Sequence, residues 1–277
     1  MRNVKPRHLD RRQLLRAIGF GIAATPFVIG ACTDAAAEMV DANGSGSGSS
    51  DGSLPSDWAN GGTVSMTDKA SYPDPFAAAT TTCAIVAGVT EGPCTTTTTL
   101  DREDISEGWT GLPVRLALKI VDASCAPIAG AVVKIWATNN AGSYSGQTPN
   151  NGMCLKDQSY SSMNFMRGAR TTNADGVVYF DTCFPGWYRG RAVHIHFQVS
   201  SGNTTYKVSQ LFFPEDLTAS IFSDHVDYKS FGQPDTTFAN DNVMSTIPSA
   251  SRAQNIVEYA RMTDGAMLAS KVVTVKS

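Results

Sequence analysis

The chain has 277 residues, 42% hydrophobic and 17% charged, which is enough apolar material for one large domain or two small ones. Its 22 Lys and Arg face 25 Asp and Glu; the first 31 residues hold six basic groups and one acid, so the rest carries 16 basic and 24 acidic groups. That balance excludes a nucleic-acid binder working through a basic surface, and no apolar run reaches the roughly 20 residues of a membrane-spanning helix.

The N-terminus reads as an address. A basic stretch leads into Asp10-Arg11-Arg12-Gln13-Leu14-Leu15-Arg16, and an apolar run from Ala17 to Ala31 follows. This is the layout of an export signal, and the arginine pair points to the twin-arginine route. The run ends in Ile29-Gly30-Ala31-Cys32, which resembles a bacterial lipoprotein cleavage box. Residues 1–31 are therefore expected to be removed. Cys32 would carry a lipid anchor, the sole membrane attachment, holding the protein at the bacterial cell envelope. The competing reading is an ordinary signal peptide with a coincidental Cys. Residues 32–79 include Gly44-Ser45-Gly46-Ser47-Gly48-Ser49-Ser50 and hold few apolar groups, so they read as a flexible tether. The folded domain is expected over 80–277.

From there strand signals dominate. Val114 to Asp122 alternates Val114, Leu116, Leu118 and Ile120 with Arg115 and Lys119, the period of a half-buried strand. Ala131–Ala137 is a second strand. Asn173-Ala174-Asp175-Gly176 is a turn into Val177–Phe180. Ala192–Val199, Thr205–Phe213 and a hairpin around Asp264-Gly265 complete the set, with one short helix over Glu215–Phe222. Short strands joined by Gly and Asp turns predict an all-β fold: a β-sandwich of mixed and antiparallel strands with long loops and little helix. The five cysteines after Cys32 include no Cys-x-x-Cys pair. In an exported chain they form two disulfides at most and leave one thiol.

Ala192-Val193-His194-Ile195-His196-Phe197-Gln198-Val199 is the most informative segment. On a strand Val193, Ile195, Phe197 and Val199 share the core face. His194 and His196 share the other, about 6.5–7 Å apart along the strand. Two imidazoles so placed can converge on one metal. The plain alternative is a pair of hydrogen-bonded histidines, but the chain beyond the leader has three histidines and two sit here.

Around this pair lie Thr90-Glu91-Gly92-Pro93, Asp104-Ile105-Ser106-Glu107-Gly108, Trp136 to Gly146, Phe165-Met166-Arg167-Gly168 and Phe184 to Arg191. In that order, and closed by His194-Ile195-His196, they resemble the intradiol ring-cleavage dioxygenases, above all the protocatechuate 3,4-dioxygenase type and its exported relatives. The resemblance covers roughly residues 83–240. It implies a mononuclear non-haem Fe(III), held by Tyr144 and His196 as equatorial ligands and by Tyr188 and His194 as axial ones. Phenolate is a hard anionic donor suited to ferric iron. It further implies that Tyr188 acts as a base, that Arg191 stabilises negative charge during ring opening, and that Gln210 lines the same pocket. The implied reaction cleaves a catechol-type ring between its two hydroxylated carbons with O2, giving a cis,cis-muconate-type diacid. Small-molecule catechol and O2 are the implied partners; which catechol and which oligomeric state stay open. Ala137, Thr138 and Asn139 depart from the family's usual His-Cys-Asp, and Cys94 from an aromatic, changes expected at the pocket rim. Two rival readings are a non-catalytic exported sandwich that binds a partner, and a zinc hydrolase using His194, His196 and His225. Cys154 and Cys183 are the expected disulfide, tying the two tyrosine loops, with Cys83 or Cys94 joined to Cys125.

Overall fold

A computed structural model describes residues 57–78, 83–148 and 151–276. The leader, Cys32 and most of the expected tether lie outside the described residues.

Among the described residues, eight strands form two four-stranded sheets. In chain order they are β1 (Pro113–Val121), β2 (Val132–Trp136), β3 (Arg167–Thr171), β4 (Val177–Cys183), β5 (His194–Ser201), β6 (Thr204–Phe212), β7 (Glu258–Arg261) and β8 (Met267–Thr274). The first sheet has the order β4-β1-β8-β7 and the second β3-β2-β5-β6. All pairs are antiparallel except β1 with β8, whose parallel register runs from Val114 opposite Met267 to Val121 opposite Thr274. The expected all-β sandwich, mixed in its strand directions, is the fold.

Period-two alternation builds the core. Val114, Leu116, Leu118 and Ile120 of β1 meet Val133 and Ile135 of β2 and Ile195, Phe197 and Val199 of β5 in a single fully buried cluster. Each such side chain contributes about 1.5–3 kcal/mol relative to exposure. Helix α2 (Glu215–Asp224) packs Leu217, Ile221 and Phe222 into that cluster, and its first turn carries Glu215 and Asp216 at the positive end of the helix dipole. Two elements escaped the sequence pattern: edge strand β3, whose Arg-Gly-Ala-Arg-Thr has no apolar alternation, and the four-residue helix α1 (Asn151–Cys154).

The tether boundary at residue 79 needs correction. Residues 57–78 pack on the domain: Gly62 N donates to Gly111 O at 2.8 Å, and Ala59 N to Gly265 O at 2.8 Å. The Tyr72 hydroxyl donates to Asp264 at 2.7 Å, and Tyr72 and Phe76 cover Ala117 and Leu268 on the outer face of the first sheet. Lys69 reaches Asp181 at 2.5 Å; Arg115 meets the same buried carboxylate at 2.6 Å, so two cations offset its desolvation. Three widely spaced aromatics, Trp58, Tyr72 and Phe76, anchor a segment whose average composition looks unfoldable.

The cysteine pairing also differs from expectation. Cys83 joins Cys125 and Cys94 joins Cys154, while Cys183 is a buried free thiol. The reason is sidedness. Cys183 ends β4 with its sulfur in the sandwich core, whereas Cys154 lies on the outer face of the second sheet with Cys94 and Trp136. A sheet separates Cys154 from Cys183. The two bridges close spans of 42 and 60 residues and stabilise by about 4 kcal/mol each in the chain-entropy treatment. Burial pushes the Cys183 thiol up to about 12, so it is a poor nucleophile. Non-reducing peptide mapping should find Cys94 linked to Cys154 and Cys83 to Cys125, with Cys183 alkylated only after denaturation; a Cys183 peptide in a disulfide would contradict this pairing.

Candidate active site

The outer face of the second sheet carries the site. Register places Arg167 of β3 opposite Trp136 of β2, Trp136 opposite His196 of β5, and His196 opposite Gln210 of β6. These four form one row across all four strands. The Trp136 indole stacks on the His196 imidazole, with centroids 4.9 Å apart and planes within 7°. His194, one step along β5, faces Phe212.

Two loops bring tyrosines over the row. Tyr144 follows β2 by a turn in which Asn139 O accepts from Gly142 N and Asn139 Oδ1 from Ser143 N. Tyr188 precedes β5 in the Phe184–Arg191 segment. The loops are nested: Gly186 N donates to Asn139 O at 2.9 Å, and Thr138 Oγ1 to Gly186 O at 2.6 Å. A Cβ at Gly142 would sit 1.9 Å from Trp187 O, and one at Gly186 2.3 Å from Asn140 O, so only glycine permits this approach. Thr138 and Asn139, expected at the pocket rim, instead lie behind the tyrosines and lock their loops together. Cys94 does line the cleft.

The structure brings all four expected metal-site residues to one point. Tyr144 Oη is 3.1 Å from His196 Nε2, 3.3 Å from His194 Nε2 and 3.5 Å from Tyr188 Oη. Tyr188 Oη is 3.2 Å from His194 Nε2, and the two Nε2 atoms are 3.1 Å apart. Tyr144, His194 and His196 are almost wholly buried. His194 Nδ1 donates to Ala192 O at 2.6 Å, which leaves a lone pair on Nε2 facing the other three donors. Donors 3.1–3.5 Å apart have the spacing of ligands that share one ion at about 2.0–2.1 Å. Two imidazoles and two phenols so aimed therefore fit a hard, highly charged metal ion.

Electrostatics keep the metal-free donors neutral. Burial holds His194 down to about 3, with the Arg191 cation adding to the shift, and it holds His196 well below the usual range, with His194 and Arg191 adding to it. Burial pushes both tyrosines up, Tyr144 the further. Arg167, 3% exposed, is pulled down to about 10 by the same cause and remains a cation.

A cleft of about 380 Å³ opens beside these donors, lined by Thr90, Gly92, Pro93, Met153, Tyr188, Arg191, His196 and Val243 among others. Arg191 points Nη1 at Tyr188 Oη, 3.4 Å away, while its Nε donates to Asp241 at 2.9 Å and its Nη2 to Gln210 Oε1. Gln210 is fully buried behind Arg191 and donates to Thr90 O at 3.1 Å, so it braces the arginine from behind the cleft. Sequence reasoning missed Asp241. This fully buried carboxylate also accepts from the backbone N–H groups of Ala192, Val243 and Met244, at 2.7–2.8 Å. Nothing in Asn240-Asp241-Asn242 distinguishes it from a surface turn.

His225 does not join the site. Its Nε2 meets Ala59 O at 2.9 Å and its ring packs on Tyr228. Among the described residues no group of three or more His, Cys, Asp or Glu could hold a metal, so the three-histidine zinc reading lacks its third ligand.

The family described as Dioxygenase matches residues 88–272, two thirds of the chain and every residue of this constellation. The chain belongs to the intradiol ring-cleavage dioxygenase family. A solved intradiol ring-cleavage dioxygenase from Tetranychus urticae is 26% identical, with a TM-score of 0.61 over 70% of this chain and 95% of its own. A second solved dioxygenase, Tetur07g02040, is 27% identical with a TM-score of 0.60 over the same shares. No curated protein matches the sequence. The dioxygenase is thus an enzyme by family, and the reading as a non-catalytic binding sandwich falls.

The depressed histidines set an acid limit on the metal-free dioxygenase. A group whose folded value lies below its unfolded value of about 6.5 binds more protons when unfolded, so stability rises with pH across that interval. The melting temperature of the metal-free protein should fall as pH drops from 6.5 towards 3, at up to about 1.4 kcal/mol per pH unit for each histidine. A His196→Gln variant should show a shallower slope, measured by calorimetry; an unchanged slope would remove the histidines as its source.

Proposed function

We propose that this dioxygenase is a non-haem Fe(III) enzyme that cleaves a catechol between its two hydroxylated carbons with O2, releasing a cis,cis-muconate-type diacid. The observation that carries the reading is the convergence of Tyr144 Oη, Tyr188 Oη, His194 Nε2 and His196 Nε2 within 3.1–3.5 Å, at the head of a cleft large enough for one aromatic ring. Two phenolates and two neutral imidazoles would hold ferric iron, a donor set in which hard anionic oxygen favours the ferric state. When bound, the iron would supply the Lewis-acidic and redox-active centre that the chemistry needs.

The chain's own residues supply the rest. Tyr188 lines the cleft and Tyr144 does not, so Tyr188 is the phenolate an incoming catechol can reach, and its Oη accepts a hydroxyl proton from the substrate. Arg191 Nη1, beside that oxygen, faces negative charge as it collects on the deprotonated substrate and the opening ring. Such a fixed donor acts without reorganisation because Asp241 and Gln210 already hold it. Burial of the histidines keeps water and protons off the donors. Tyr144, held at both flanks, keeps its place throughout.

The enzyme is further read as exported and anchored through lipid on Cys32 at the bacterial cell envelope. The N-terminal pattern supports this, as do two disulfides, which persist in oxidising compartments. A Cys32→Ala variant should leave the membrane fraction as soluble mature protein or stay an uncleaved precursor; mature protein still sedimenting with membranes would end the anchor reading.

The catalytic assignment is tested with three variants, oxygen-electrode assays on simple catechols and visible spectroscopy. Tyr144→Phe and Tyr188→Phe should each lose or shift the tyrosinate-to-iron band while keeping the far-UV signature of the sandwich. Arg191→Ala should keep iron and colour but lose about 10²–10³ in kcat, the scale of removing one charge-stabilising donor. A colourless parent, or Tyr variants with the parent's spectrum, would overturn the ligand set.

A further inference from the structure

Arg167 is a charge the catalytic reading leaves unexplained. It lies at the start of β3, 3% exposed, at the end of the cross-strand row that continues through Trp136 to His196. It forms no ion pair among the described residues, whereas the partly buried Arg115 and Arg191 each meet a carboxylate. Its partners are uncharged: Nε and Nη2 donate to Ser145 O at 3.0 and 2.6 Å, Nε also to Ser145 Oγ at 3.2 Å, and Nη2 also to Cys94 O at 2.7 Å. Nη1 has no hydrogen-bond partner and is buried. A buried guanidinium without an anion is expensive, and such groups persist when something compensates them.

The compensating group is the Tyr144 side chain. The Arg167 Cζ lies 5.9 Å from the centroid of the Tyr144 ring, and Ser145, whose carbonyl it clamps, is the next residue in the chain. Ser145 Oγ is fixed in turn to Phe165 O at 2.7 Å, and Tyr144 N to Cys154 O at 2.9 Å. No carboxylate takes part in any of these contacts. The ionisable side chain that Arg167 faces is Tyr144, whose phenolate would be its anion.

We infer that Arg167 is the positioning residue of Tyr144: its guanidinium locks the backbone of the adjoining Ser145 and is the built-in counter-charge of the phenolate formed at Tyr144 when ferric iron binds. The inference rests on the iron reading above and adds a residue that touches neither substrate nor metal. It separates two roles of positive charge in one site. Arg191, held by Asp241, faces the cleft and the substrate; Arg167, held by uncharged acceptors, faces the ligand that stays bound. Removing the Arg167 charge should therefore weaken ferric binding selectively, since a nearby opposite charge favours the ionised form of the phenol.

The test compares the full chain with Arg167→Gln, neutral but still a donor to the carbonyls, and Arg167→Lys, which keeps the charge. Each is melted metal-free and after loading with ferric citrate, and the rise in melting temperature on loading reports ferric affinity. A merely structural arginine would lower both melting temperatures together and leave the rise unchanged. The expected result is a smaller rise and a shifted visible band for Arg167→Gln, with the rise largely kept by Arg167→Lys. An Arg167→Gln protein with the parent's rise and band overturns the inference. If that variant does not fold, an Arg167→Lys protein whose rise collapses overturns it, and one that keeps the rise supports it. A parent that gains nothing from ferric citrate sinks the iron reading first and this inference with it.

Discussion

Two imidazoles two residues apart on a strand must share a face, and everything else in the site is arranged around that constraint. The core face of β5 is filled by Ile195, Phe197 and Val199, which anchor the strand in the sandwich, so His194 and His196 have no choice but the opposite side. That side would ordinarily be wet. Here it is roofed by loops, and the histidines end up as buried as the core residues between them.

Burying polar groups demands that each be answered. His194 is answered by the Ala192 carbonyl on one nitrogen and by the facing donors on the other. The tyrosine loops reach over the pair because glycines at 142 and 186 let two backbones come closer than any side chain would allow. The Cys94–Cys154 bridge closes the same face. Its two ends lend carbonyls to the site, Cys94 O to Arg167 and Cys154 O to Tyr144 N. Rigidity around the donors thus comes from nested backbone, one covalent tie and the Trp136 indole stacked on His196.

The charges follow the same economy. Among the described residues the one carboxylate hydrogen-bonded into the site, Asp241, orients Arg191 and satisfies three backbone N–H groups. Two arginines, Arg191 and Arg167, therefore flank the donors, and the one carboxylate near them is held by the Arg191 side chain. At the far side of the molecule the opposite arrangement holds, where Asp181 is matched by Arg115 and Lys69 and fastens the segment 57–78 to the first sheet. One cluster is closed and structural; the other is left open on the anionic side.

Much of this was legible from the chain alone. Alternation in Val114–Asp122 and Ala192–Val199 fixed two strands and the side on which the histidines lie, because a side chain's face in a strand depends only on its parity. Ordered short motifs placed Tyr144, Tyr188, Arg191 and Gln210 with them. The rest depended on contacts between distant segments. Edge strand β3 has no pattern of its own and exists through pairing with β2. Residues 57–78 look unfoldable by composition and are held by three aromatics and a few polar contacts that only the assembled surface offers. Cys154 and Cys183 are near in sequence and on opposite sides of a sheet, so the pairing went to Cys94, 60 residues away. Asp241 carried no local signal, and the Phe165-Met166-Arg167-Gly168 motif marked Arg167 without giving it a role, since a carboxylate or guanidinium acquires its role from what is packed around it. Local parity determined the faces; only tertiary packing decided which charges, sulfurs and loops would meet there, because burial and distance are properties of the folded whole.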